Sequence, residues 1–409
     1  MAGLRIKGLG EEIGTLAQLT WDLPLEQWPE DEVLTPMRGI SRHIVRLIRS
    51  NPKKVNSEIF AIKETNSEFA NREYTLLREL NQRGAPCVEP VAVIEGRLDK
   101  DGNELPAALV TKYLPYSLPY RVILSGTVTP AEVLNMANAL ALLLVRMHLL
   151  GFWWGDCSLS NTLFRRDADE FAAYLVDAET GEFQKSLSNG QREHDLELAL
   201  VNVAGELDDL ASAGVLQKDM DPVRASEGVI RRYRRLWAML KEPQILDASD
   251  RQAVERAMRS LQDLGFAVEE VEVTTEGDKG MIKFQPKLVA ARYHANRLED
   301  LMGLKTEELQ AKRLLASYDR YKAREFPPST PHSIAVKQWL TDVFRRVVNQ
   351  VPDDLKGRVE PAQLFHEVLE NRWYLGEKLG RDVGLDFATQ DYIEKVLPYR
   401  MDSGVVVNR

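Results

Sequence analysis

Between residues 37 and 65 apolar positions nearly alternate with polar ones, first in MRGISRHIVRLIRS and again in SEIFAIKE, with the turn-rich NPKKVN between them. A period of two lays one face of an extended chain against a core, so the pair predicts two antiparallel strands. From Asn66 the period lengthens. Phe69, Tyr74, Leu76, Leu77 and Leu80 recur at roughly helical spacing until Gly84-Ala-Pro86 stops the run. Two more strands follow, PVAVIEGRL and PAALVTKYL, joined through the hairpin signal Asp101-Gly102-Asn103. Upstream, residues 1–32, with their WDLPLEQWPED, read as an irregular arm ordered by packing on another surface.

Thr129, Pro130 and Glu132 supply an N-cap, a first-turn proline and a capping-box acid in the right order for a helix start. The helix they open is strongly apolar and runs to about Leu150, where Gly151 turns the chain. Its Asn135, Asn138, Arg146 and His148 would be costly in lipid, so it predicts a buried helix and not a membrane span. FAAYLVDAE then reads as a short buried strand ending on acids, and Leu196, Leu200, Val203, Leu207 and Leu210 mark another amphipathic helix. Beyond about residue 245 the pattern predicts a helix over DASDRQAVERAMRSLQDLG and a hairpin from FAVEEVEVTT to MIKFQPKLVAARY. Mostly helical sequence follows, broken at Glu325-Phe-Pro-Pro328 and Pro352-Asp-Asp354. His366, Trp373 and Tyr374 are expected to lie in the core of that last region, and His148 to satisfy a backbone group.

The 409 residues are enough for two or three domains, and 44% apolar with 28% charged residues excludes a disordered or fibrous chain. Cys87 and Cys157 are too few for a disulfide framework or a four-cysteine zinc site and suit a reducing compartment. The first residues lack the apolar run of a signal peptide, so the expectation is a cytoplasmic protein without a transmembrane segment. A net charge of −9 speaks against a nucleic-acid partner, and the basic RRYRR at 231–235 reads as a solvated helix face.

Candidate chemistry lies in WWGDCSLSNTLF, where Asp156 and Asn161 stand five apart just after the long helix, with Asp177 at the end of the next strand. Carboxylate and amide oxygens suit magnesium held against phosphates, which would make Asn161 and Asp177 metal ligands and leave Asp156 to orient an acceptor hydroxyl and take its proton. Lys63, on the strand AIKE, offers a cation for the phosphates, and Glu73 on the next helix is placed to pair with it; Glu68 is the competing acid. Asp195, near the start of its helix, reads as a partner of the helix dipole.

Strand lysine, helix glutamate, Asp-x4-Asn and strand-terminal Asp, in that order, resemble the protein-kinase-like superfamily over residues 33–245. Gly155, where protein kinases usually carry arginine, and Asp177-Ala-Glu179 in place of Asp-Phe-Gly look closer to the small-molecule branch of aminoglycoside, choline and lipopolysaccharide kinases. With RGISRHIVR near one end and ENRWYLGEKLGRDVGLDFATQDYIEKVLP near the other, the whole chain resembles an uncharacterised bacterial family labelled lipopolysaccharide kinase.

The resemblance implies an α+β, two-lobed kinase-like fold. An arm (1–32), an N-lobe (33–112) and a C-lobe (113–245) would precede an α-rich domain with a small β-hairpin (246–409). It implies ATP and Mg2+ as cofactors, with Lys112, Tyr113 and Leu114 at the hinge beside the adenine. No glycine-rich loop is present, and Gly39, Ser41 and Arg42 stand where it would meet the phosphates. Trp154 stands near a position where many kinases have histidine. The expected function is phosphoryl transfer to a hydroxyl of a small molecule or a sugar- or lipid-linked acceptor, with a protein partner for the C-terminal domain. The alternatives are a nucleotide-binding regulatory pseudokinase and a nucleotidyl (AMP) transferase on the same fold.

Overall fold

The computed structural model describes residues 3–8, 12–30, 33–34, 44–50, 57–125, 129–216, 220–241, 244–247, 252–253, 255–256, 259, 266–276 and 281–400. The chain divides into two compact units. Unit 1 comprises residues 1–165, 173–233 and 404–409, and unit 2 comprises 166–172 and 234–403.

Unit 1 opens on a five-stranded antiparallel sheet in the order β1-β4-β5-β3-β2, from β1 (Arg5–Gly8), β2 (Val45–Arg49), β3 (Ile59–Thr65), β4 (Pro90–Glu95) and β5 (Ala107–Lys112). Between β3 and β4 runs helix α2 (Ser67–Gln82), capped by the Asn66 side chain on the Phe69 N–H; the short α1 (Glu12–Leu16) lies in the arm. The buried face of α2 is Ala70, Glu73, Tyr74, Leu77 and Leu80, so an acid sits inside an apolar stripe. The arm is more regular than its sequence suggests: besides α1 it supplies β1, whose four residues pair with Gly8↔Ala92 through Arg5↔Glu95 at the sheet edge. So short a strand leaves almost no periodic signal.

The rest of the arm is held by one buried cation. Arg97, almost wholly buried, donates to the carbonyls of Trp21, Leu23 and Pro106 at 3.2, 2.6 and 2.9 Å and to Glu64 Oε1 at 2.7 Å. The same Glu64 oxygen accepts from the Leu25 N–H at 3.0 Å. Trp21 and Trp28 meet edge to face at 5.2 Å and join Leu16, Leu25, Phe60, Ile62 and Val110 in one apolar cluster.

After β6 (Ser117–Pro119) and α3 (Tyr120–Leu124), the capping box of Thr129 and Glu132 starts α4 (Pro130–Leu149). Among the described residues α4 alone has the length and apolarity to cross a membrane; 61% of its most apolar window is buried, and Leu140, Leu143, Leu144 and Met147 are core. The strands β7 (Phe152–Trp153), β8 (Thr162–Asp167), β9 (Glu170–Leu175) and β10 (Glu182–Phe183) follow. They form a β6-β8-β9 sheet and a β7-β10 pair on either side of the Asp156 loop. Two long helices, α5 (Asn189–Ser212) and α6 (Pro222–Lys241), come next.

In unit 2 the expected hairpin is present as β12 (Phe266–Glu276) and β13 (Met281–Ala291). A third strand that the pattern did not announce, β11 (Gln244–Asp247), pairs with β13. The helix predicted just before the hairpin falls largely outside the described residues. Helices Tyr293–Met302, Glu308–Glu325, His332–Trp339, Pro361–Leu379 and Leu385–Lys395 pack on Tyr318, Trp339, Phe344, Phe365 and Tyr392. The third runs on through a π-helical turn, Leu340–Phe344, into Arg345–Val348. His366 is buried, but Trp373 and Tyr374 are exposed, contrary to the core reading, because Pro361–Leu379 buries its side chains mainly in its first half.

Replacing Arg97 with Ala strands three carbonyls and the Glu64 carboxylate, and removing one partner of a buried ion pair costs about 3–5 kcal/mol. Arg97→Ala is therefore expected to lower the unfolding free energy by that amount, read as a lower denaturant midpoint at an unchanged slope, and to expose the arm between residues 12 and 30 to limited proteolysis.

Candidate active site

Lys63 lies on β3 with its ammonium 3.1 Å from Glu73 Oε2, 2.7 Å from Asp177 Oδ2 and 3.4 Å from Glu179 Oε2. Register explains the first contact, since Asn66 alone joins β3 to α2 and Glu73 occupies the face of α2 that turns inward. Glu68, in the first turn of that helix, is exposed. Glu73 Oε1 is buried without a hydrogen-bond partner among the described residues. One ammonium cannot balance three acids in a closed space. Burial and the charge of Asp177 outweigh the attraction of Lys63 and push the Glu73 carboxyl up to about 8. Burial alone would lower the Lys63 ammonium, but Glu73, Asp177 and Glu179 together raise it above its ordinary value.

Asp156 sits on the loop after β7. Its Oδ2 accepts from Asn161 Nδ2 at 2.9 Å and its Oδ1 from Asn202 Nδ2, on α5, at 2.9 Å. Asn161 spends its amide nitrogen on Asp156, on the carbonyl as well as the carboxylate, and its Oδ1 makes no hydrogen bond among the described residues. The Val176 N–H donates to the Asn161 carbonyl at 3.1 Å, which brings Asn161 beside the residue preceding Asp177. Gly155 has φ +75°, and a Cβ there would meet the Trp153 ring at 2.9 Å, so the position before Asp156 admits glycine and little else. Trp154 donates its indole N–H to the Asp177 carbonyl at 3.2 Å, linking the Asp156 loop to the Asp177 segment.

The other predicted residues fall differently. The Lys112 ammonium turns to Glu89, Glu58 and Glu12 at 3.0, 3.6 and 3.8 Å. The Tyr113 N–H is used by the Ile59 carbonyl, and the Leu114 carbonyl by the Ser117 hydroxyl. Gly39, Ser41 and Arg42 lie outside the described residues.

Sequence reasoning misread Asp195 and His148. Helix α5 begins at Asn189, so Asp195 is nearly two turns inside it and fully buried, too far in to serve the helix dipole. Its oxygens accept from the Gly155 N–H at 2.7 Å and the Trp154 N–H at 2.8 Å, and Oδ2 lies 2.9 Å from His148 Nε2. His148 Nδ1 meets the Tyr233 hydroxyl at 2.6 Å, so both ring nitrogens are engaged by side chains. Two further residues were missed. Asn202 holds Asp156, and Glu206 accepts from the Leu159 and Ser160 N–H groups at 2.8 and 2.9 Å. Asp195, Asn202 and Glu206 are spaced seven and four apart on one helical stripe. That polar periodicity beside an apolar one was a readable signal.

Sheet, helix pair and acid-bearing loop define a kinase-like domain. Residues 43–208 match the model of the lipopolysaccharide kinase (Kdo/WaaP) family. Residues 235–397 match a domain of unknown function, DUF4032. Among solved structures, one titled WaaP in complex with acyl carrier protein aligns over 64% of this chain and 99% of that one, at 18% identity and a TM-score of 0.34. A chain of the yeast RNA Pol II CTD kinase CTDK-1 complex aligns over 38% of this chain and 51% of that one, at 15% identity and a TM-score of 0.26. A search of curated proteins gave no match.

Burial holds the His148 imidazole below its ordinary 6.5. Below that pH the unfolded chain binds the proton and the folded one does not, so this contribution to stability is complete above 6.5 and is lost as pH falls. In thermal unfolding the advantage of the wild type over His148→Gln is expected to shrink between about pH 7.5 and about pH 5.5.

Proposed function

We propose that residues 33–245 form an ATP- and Mg2+-dependent phosphotransferase that acts in the cytoplasm on a hydroxyl of a small molecule or of a sugar- or lipid-linked acceptor. The observation that carries this reading is the state of Asp156. Both of its oxygens are oriented by amide donors from Asn161 and Asn202, which leaves lone pairs to accept one more proton. A carboxylate so fixed can hold an acceptor hydroxyl in line with a phosphoryl group and receive its proton, and such positioning is most of what phosphoryl transfer needs.

The donor set fits magnesium. Asp177 and Glu179 offer carboxylate oxygens within 4.8 Å of each other, and Asn161 has its amide oxygen to spare. The metal, when bound, would offset charge on the phosphate oxygens. Lys63 adds its ammonium to the same oxygens, and its contact with Asp177 is the one that nucleotide binding would exchange. Glu73 keeps Lys63 extended toward them.

The test follows label from ATP marked at the α or the γ phosphorus, with magnesium, purified protein and cell extract. Movement of γ label is expected, lost in Asp177→Ala and reduced about 10²–10⁴-fold in Asp156→Asn. Movement of α label instead would replace the kinase with a nucleotidyl transferase. ATP binding with neither label moving would leave a regulatory protein.

A further inference from the structure

A second cluster of chemistry-bearing side chains lies within unit 2, on the turn between β8 and β9 and on the helix Pro361–Leu379. His366 Nε2 is 2.9 Å from Asp169 Oδ1 and 3.5 Å from Glu370 Oε2. One donor atom from each of the three side chains can be chosen with all three within 4.8 Å of one another. His366 and Glu370 are four apart and so project from the same face of one helix.

The third side chain is held in place by unusual means. Ala168, just before Asp169, has φ 55°, and its N–H and C=O are both bonded by the buried Gln363 amide, at 2.9 and 3.0 Å. Gln363 stands one turn before His366 on the same helix, so the turn that carries Asp169 is clamped beside the imidazole. Arg313 donates to Asp169 Oδ2 at 2.8 Å, the oxygen that does not face His366. That contact orients the carboxylate and leaves Oδ1 toward the ring, the role of an outer-shell partner.

Without an ion, hydrogen bonds between His366 and Asp169 and between Asp169 and Glu370 hold the three side chains together. A neutral imidazole has at most one proton on Nε2, and here two carboxylates converge on that nitrogen. We propose that Asp169, His366 and Glu370 bind a divalent transition metal of the zinc class. An imidazole with two carboxylates is a donor set for zinc more than for magnesium or calcium, which take oxygen alone. Donor atoms around a tetrahedral zinc with bonds of about 2.0–2.1 Å stand about 3.3 Å apart. The 2.9 and 3.5 Å separations bracket that edge. The Asp169 and Glu370 side chains are 47% and 55% exposed, so an ion enters directly from solvent and its fourth position is left to water or an exogenous ligand.

Titration of the metal-free full-length chain with cobalt(II), read by its visible absorption, and with zinc, read by thermal shift, tests this. The Asp177→Ala variant removes the kinase-like site as a competing binder, so failure here and failure of the phosphotransferase reading are separable. One binding event is expected to survive in Asp177→Ala and to weaken at least about tenfold in His366→Ala and in Glu370→Gln. His366 is buried and its replacement can unfold the region, whereas Glu370 is half-exposed, so Glu370→Gln with an unchanged circular dichroism spectrum carries the decision. Absence of binding in the wild type, its complete loss in Asp177→Ala, or an affinity unchanged by Glu370→Gln would overturn the site.

Discussion

The kinase-like unit depends on how the Asp195 carboxylate is satisfied inside the protein. A carboxyl group with no exposure to water must find donors or cost several kcal/mol, and Asp195 finds them in two consecutive backbone N–H groups, of Trp154 and Gly155, and in His148. Those two N–H groups belong to the chain immediately before Asp156. Burial of one side chain on α5 therefore fixes the backbone from which the candidate base projects. Asn202 and Glu206 extend the same control along the loop, one at Asp156 and Cys157, the other at Leu159 and Ser160. The loop takes its shape from a stripe of α5 more than from its own sequence.

Lys63 plays the corresponding part for the acids of the Asp177 segment. It draws together β3, α2 and the segment after β9, and it does so against an excess of negative charge, which with burial pushes the Glu73 carboxyl up. Arg72, on α2, bonds the Gly181 carbonyl at 2.9 Å, so the segment from Asp177 to Gly181 is tied to β3 through Lys63 and to α2 through Arg72. An elevated Lys63 and an elevated Glu73 are one electrostatic arrangement viewed from two sides.

Much of this was legible in the chain because the relevant signals are local. Period-two and period-three-to-four hydrophobicity gave β3, α2, β4, β5 and α4, and Thr129-Pro130 with Glu132 marked the start of α4 to the residue. The pairing of Lys63 with Glu73 over Glu68 follows from which face of α2 is apolar. What stayed hidden was non-local. Asp195 bonds residues forty positions away, and nothing in its neighbourhood distinguishes that from a charge on a helix surface. The edge strand β1 and the third strand of the second unit's sheet are four residues each, too short for a period to declare itself. Lys112 was placed at the hinge by the resemblance, and its acidic neighbours come from three separate segments.

Trp154 stands near the place where a histidine would serve many kinases, and its indole N–H bonds the Asp177 carbonyl. Imidazole in that position titrates near neutrality and can present either a donor or a lone pair, so the bridge it makes varies with the acidity of the medium. Indole has one N–H, no basic nitrogen and no tautomer to choose. The tie between the loop that holds Asp156 and the strand end that holds Asp177 is consequently deaf to pH, unlike the His148–Asp195 contact that supports the same loop.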